Sequence, residues 1–159
     1  MKAYRRTGII TPEELGKLGL IPPKERLEKG PVAIAECPEH IPCNVCVVAC
    51  PVGAITVEGL RGVPRIAWDK CTGCGKCVGV CPGLAIFVVD LSRDPAVVVV
   101  PHEFLPKPKK GDVVSLLNRR GEKVGEGMVR RVFEVNKTLV VAVEVPRELA
   151  MEVRAIWVG

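Results

Sequence analysis

The sequence predicts an α+β chain in three parts: an extended N-terminal arm over 1–30, a βαββαβ unit over 31–93, and a small C-terminal antiparallel β-barrel over 94–159. Three observations predict it. A cysteine spacing repeats across the middle of the chain, short β-type runs punctuated by glycine fill a Cys-free third part, and one helix-start signal stands in the polar arm.

In the arm, Thr11-Pro12-Glu13-Glu14-Leu15 reads as the start of a helix. Thr11 is the N-cap, Pro12 takes the first helical position, and Glu14 completes a capping box. Gly16 and Gly19 weaken the next turn and Pro22-Pro23 ends it, so a short helix within an extended segment is expected. With so few apolar groups the arm must lie on something else.

In the middle, Cys43-Asn44-Val45-Cys46-Val47-Val48-Ala49-Cys50-Pro51 is echoed 31 residues later by Cys74-Gly75-Lys76-Cys77-Val78-Gly79-Val80-Cys81-Pro82. Each copy reads as a strand, a Cys-bearing loop, a short helix starting near the third Cys, and a second strand, Ile55–Glu58 and Ile86–Asp90. Two such units make a βαββαβ sandwich with a pseudo-two-fold axis.

In the third part, Pro101, Pro106 and Pro108 mark an irregular linker. Runs over Val113–Leu117, Lys123–Val135, Thr138–Val145 and Ala155–Val158 read as strands, with Asn136-Lys137 as a tight hairpin turn. Residues 146–151 suit one or two helical turns. Closure into a barrel would remove the exposed strand edges. His102 has no ligand set beside it and reads as a loop residue.

Composition narrows the function. The 159 residues are 48% hydrophobic and 4% aromatic, and eight are Cys. The start of the chain has no uninterrupted apolar stretch after its basic residues, and the longest apolar runs, Leu84–Val89 and Ala96–Val100, are too short to span a bilayer. A cytoplasmic protein with no membrane span is therefore expected, and there clustered Cys indicate metal rather than disulfides. The net charge of +5 sits at the two ends, since residues 31–93 are neutral. Eight thiolates around two oxidised iron–sulfur cores would bring the total to about +1.

The second repeat reads Cys71-x2-Cys74-x2-Cys77-x3-Cys81-Pro82, the run that holds [4Fe–4S] clusters in bacterial ferredoxins. Three thiolates on a tight loop can face three corners of a cube, and Gly73 and Gly75 allow the backbone close to it. The first repeat departs from this pattern. Three residues before Cys43 stands His40, and the nearest Cys is Cys37, giving Cys37-x5-Cys43-x2-Cys46-x3-Cys50-Pro51. Either Cys37 reaches over an enlarged loop or His40 is a ligand. Eight Cys for eight corners favours Cys37 and leaves His40 at the surface.

Residues 37–90 thus resemble the 2[4Fe–4S] ferredoxin domain. That resemblance implies a ferredoxin-like two-cluster fold in which the fourth Cys of each repeat serves the other cluster. The ligand sets would be Cys37, Cys43, Cys46 and Cys81 for cluster A, and Cys71, Cys74, Cys77 and Cys50 for cluster B. The arm, with Glu25-Arg26-Leu27-Glu28-Lys29-Gly30-Pro31-Val32-Ala33, Glu36-Cys37 and Ile41-Pro42-Cys43, is similar to ferredoxin-like subunits of FAD-dependent amino-acid dehydrogenases. These form the proline dehydrogenase and hydrogen-cyanide-synthase-like group. The third part is similar to SH3-like and KOW barrels through Lys110-Gly111-Asp112-Val113-Val114.

Two functions are expected from these features. The first is an electron-transfer subunit carrying two [4Fe–4S] clusters between FAD-containing dehydrogenase subunits and an external acceptor. The third part would then be a docking module with no role in building the cluster sites. The second is an iron–sulfur RNA- or ribosome-associated protein with structural clusters, binding through Arg119, Arg120, Arg130 and Arg131. Interleaved Glu122, Glu126 and Glu134 argue against nucleic acid. No nucleophile or general base suggests independent catalysis.

Overall fold

The computed structural model describes residues 2–159. Three short helices form the arm: α1 (Ala3–Thr7), α2 (Pro12–Lys17) and α3 (Lys24–Lys29). The sequence announces only α2, whose capping box is present: the Glu14 N–H donates to Thr11 Oγ1 at 3.1 Å and the Thr11 N–H to Glu14 Oε2 at 3.0 Å. Each helix buries one apolar residue (Tyr4, Leu15, Leu27) against the rest of the chain, which is why so short a helix persists.

Next along the chain come β1 (Val32–Ala35), α4 (Val45–Ala49), β2 (Ile55–Thr56), β3 (Arg65–Ile66), α5 (Lys76–Val80) and β4 (Ile86–Asp90). β1 pairs antiparallel with β4, and β2 with β3. The chain continues through β5 (Ala96–His102), β6 (Val113–Leu117), β7 (Lys123–Val135) and β8 (Thr138–Val145) to β9 (Ala155–Trp157). A 3-10 turn, Arg147–Leu149, precedes β9. Asn136 and Lys137, both at positive φ, make the β7–β8 hairpin turn.

The third part does not close into a barrel. Its strands extend the β1–β4 pair into one open seven-stranded antiparallel sheet, in the order β1-β4-β5-β8-β7-β6-β9. β9 comes near β5 without pairing to it. The continuation runs through β5, which is not among the strands expected from the sequence: it starts in the apolar run Ala96–Val100 and enters the expected linker at Pro101. Pro101 is tolerated in this interior strand because β4 pairs with Val97–Val99 only, leaving that side of Pro101 without a ladder partner. His102 ends β5 and is 4% exposed, so it is a buried strand residue rather than a loop residue.

Alternation divides the side chains between two cores. Val32, Ile34, Phe87, Val89, Val98, Val100, Val141 and Val143 face one, together with Leu27 and the C-terminal Ala150, Val153 and Ile156. Ala33, Ala35, Ile86, Val88 and Val140 face the other, which contains Cys46, Cys77 and Val78. The Cys-bearing helices therefore lie on one face of a sheet whose other face is also covered.

Candidate metal centre

The two repeats build the same local structure twice. Cys50 follows α4 and Cys81 follows α5, and each backbone N–H closes its helix onto the carbonyl of Cys46 or Cys77 at 3.2 Å. Pro51 and Pro82 then stop the helix. Each sulfur next accepts an N–H four residues on, from Ala54 to Cys50 at 3.3 Å and from Ala85 to Cys81 at 3.4 Å. Ala33 of β1 gives a third such bond, to Cys71 at 3.3 Å.

The eight thiols fall into two sets. Cys37, Cys43, Cys46 and Cys81 line one cavity. Cys50, Cys71, Cys74 and Cys77 line another. Each set draws three thiols from one repeat and one from the other, because α4 packs against α5 and each helix carries its last Cys toward its neighbour's loop. Among the described residues no three His, Cys, Asp or Glu side chains converge on one point as a mononuclear site requires; each set surrounds a space instead. His40 is exposed, has its Nδ1 3.2 Å from the Arg61 carbonyl, and lies outside the lining of the first cavity.

The electrostatics suit a cationic core. Burial pushes the Cys77 thiol up to about 12, with Cys71, Cys74, Cys46 and Cys50 adding in the same direction. Burial raises Cys37 and Cys46 as well, followed by Cys81 and Cys43. Backbone N–H groups offset part of the rise at Cys37 and Cys46, and the mutual repulsion of neighbouring thiolates makes bound positive charge the natural complement of each set. The Cys71–Cys74 loop is packed tightly on the start of β1: at Gly73, φ +70°, a Cβ would stand 2.7 Å from the Pro31 carbonyl oxygen. Gly75, φ +83°, packs on Phe133. Two cavities, each lined by four thiols, are a donor set that fits iron–sulfur clusters.

The C-terminal segment takes part in this site, contrary to the expectation that it has no role there. Phe133 and Val140 pack on Gly75, and Val135 packs on Gly79 of α5. Sequence reasoning also missed Arg26, whose guanidinium donates to the carbonyls of Trp68 at 2.6 Å, Cys71 at 2.9 Å, and Gly30 and Pro31 at 3.1 Å. It clamps the loop that carries Cys71, and one Arg on a short helix gives no sequence signal of that. Arg119 is 7% exposed at its side chain and held by Glu36, which removes it from any phosphate-binding surface.

Residues 41–85 match the 4Fe-4S dicluster domain family. The Na(+)-translocating ferredoxin:NAD(+) oxidoreductase complex of Acetobacterium woodii has a subunit 39% identical over 73 residues, covering 46% of this chain and 20% of that protein. A ferredoxin of Pyrobaculum islandicum is 44% identical over 46 residues, 29% of this chain and 42% of that one. The polyferredoxin-like subunit of aliphatic sulfonate oxidoreductase of Pyrococcus furiosus is 38% identical over 53 residues, 33% of this chain and 28% of that protein. The chain thus spans between a fifth and about two fifths of the length of these relatives. No solved structure matches it. No helix among the described residues is long and apolar enough to cross a membrane.

Proposed function

We propose that this chain is an electron-transfer subunit of a cytoplasmic oxidoreductase complex, holding two [4Fe–4S] clusters. Cys37, Cys43, Cys46 and Cys81 would hold cluster A, and Cys50, Cys71, Cys74 and Cys77 cluster B. The observation that carries this reading is the crossed division of eight thiols into two sets, three from one repeat and one from the other, each around its own cavity. When bound, such a cluster takes up and releases one electron at a time at a potential set by its surroundings.

The chain's own groups set those surroundings. The N–H groups of Ala33, Ala54 and Ala85 donate to ligand sulfurs and draw off negative charge, which favours the reduced state. The sheet and α4 and α5 bury Cys46 and Cys77 and leave the other six thiols partly buried. The finer part of the proposal is the partner: FAD-containing dehydrogenase subunits that act on an amino acid and hand electrons on to an external acceptor. The arm's likeness to the proline dehydrogenase group supports the flavoprotein partner, and the relatives named as oxidoreductase subunits support only that the partner is an oxidoreductase.

Anaerobically purified protein is expected to contain close to eight irons and eight acid-labile sulfides per chain. Four irons, or stoichiometric zinc, would overturn the two-cluster assignment. Cys37→Ala should lose one cluster while His40→Ala keeps both; the reverse pattern in EPR would move the ligand from Cys37 to His40. A native pull-down that recovers a flavoprotein, with cluster reduction when its substrate is added, tests the partner.

A further inference from the structure

A cleft of about 300 Å³ opens on the uncovered part of the sheet, beside cluster B's ligand set. Gly73 and Cys74 form one wall and also line the four-thiol cavity behind it. Val97 and Val99 of β5 and Ala142 of β8 supply an apolar floor. Arg93, Arg130 and Arg131 stand around it, with Phe133 at its side.

The arginines are there because of a bulge. Val129 pairs with Val143 and Arg131 with Ala142, so Arg130 is an extra residue in β7. In a regular strand Arg130 and Arg131 would point to opposite faces. Here Val129 and Val132, three residues apart, both face the first core, and both arginines turn to the cleft. A bulge that re-aims side chains in this way is a built feature rather than a defect. The Arg131 guanidinium lies 4.4 Å from the Phe133 ring centroid, which orients the fork while leaving its edge free. None of the ion pairs among the described residues includes Arg130 or Arg131. Asp90 is the one acid among the described residues of the lining, and it is occupied by Arg93 at 3.4 Å and by the Ser92 backbone N–H at 2.9 Å.

We infer that this cleft is a nucleotide site: the phosphates engage Arg130 and Arg131, and the planar base lies on the valine floor. Its volume falls at the lower end of the range for small-molecule pockets, and planar guanidinium forks match phosphate geometry. Its redox meaning rests on the reading of Cys74 as a cluster ligand; the binding itself does not.

The test is calorimetry on the full chain loaded with eight irons, using ADP, FMN and inorganic pyrophosphate as probes. ADP or FMN is expected to bind one per chain. Arg131→Gln, and separately the exposed Arg130→Gln, should weaken that binding by about tenfold or more, while Lys137→Gln leaves it unchanged. Binding should also alter the EPR signal of one reduced cluster and not the other. Absence of binding by both nucleotides at millimolar concentration overturns the inference, as does pyrophosphate binding as tightly as either nucleotide. So does binding that survives both arginine substitutions. Protein that binds nucleotide through Arg130 and Arg131 yet loads fewer than eight irons would support the site and defeat only the cluster reading, which separates the two failures.

Discussion

Glu36 immediately precedes the cluster ligand candidate Cys37 and is 9% exposed. Both its carboxylate oxygens accept from Arg119, at 2.7 and 2.8 Å, and Arg154 Nε donates to it at 3.1 Å. Arg119 also donates to the carbonyls of Met151 and Ile10, and Arg154 to those of Ala150 and Val153. One acid thus ties the arm, the end of β1, the β6–β7 turn and the C-terminal segment at one point. Removing it leaves two guanidiniums buried without an acid, so Glu36→Gln should destabilise by about 3–5 kcal/mol in chemical denaturation. Glu39→Gln, whose carboxylate pairs with the exposed Arg5 at 3.6 Å, should cost no more than about 1 kcal/mol. Equal effects would refute the central role of Glu36. His102 offers a second residue-level expectation. Its Nε2 is buried without a partner, and burial holds its pKa below the ordinary imidazole value. The neutral ring is therefore favoured in the fold. That contribution is complete above about pH 6.5 and is lost as pH falls through the lower folded value. A His102→Phe variant should show a smaller fall in Tm between pH 7 and pH 5 than the unaltered chain.

At the scale of elements, α5 is the helix on which both four-thiol sets meet, since it carries Cys77 and ends on Cys81. It sits tightly on β7: a Cβ at Gly79 would collide with the Val135 side chain. Gly79→Ala should therefore overpack this contact and cost about 1–3 kcal/mol. The measurement is thermal melting together with iron content, and both are expected to fall. If the variant melts as the unaltered chain does and keeps eight irons, the α5–β7 contact is not what seats the helix. The short strands around α5 are legible in the sequence because the repeat marks them twice. The bulge at Arg130 is not, because Val-Arg-Arg-Val-Phe has no residue pattern that distinguishes a bulged strand from a regular one.

For the whole molecule, the decisive feature is the continuity of the sheet. β4 belongs to the Cys-bearing unit, yet its neighbour β5 and the next strand β8 belong to the Cys-free part. Val98, Val100, Val141 and Val143 share a core with Val32, Ile34 and Val89. A chain ending at residue 93 should therefore expose this face and fail to hold eight irons. Iron and sulfide counts on such a truncation, beside the full chain, decide the point: a soluble, eight-iron fragment would show that the ferredoxin-type unit is self-sufficient.

The sequence by itself determined the chemistry. Eight thiols in twin Cys-Pro repeats, the Thr11 capping box and the Asn136-Lys137 turn are local patterns, and local patterns survive in any fold that contains them. Tertiary structure decided what is assembled from distant residues. The open sheet in place of a barrel depends on β5 pairing on both sides, and the Glu36–Arg119–Arg154 triad joins residues more than eighty positions apart. The Arg26 clamp and the arginine-rimmed cleft arise in the same way. Such contacts leave no periodicity in the chain, because each partner is chosen by burial and hydrogen-bond geometry once the strands have aligned.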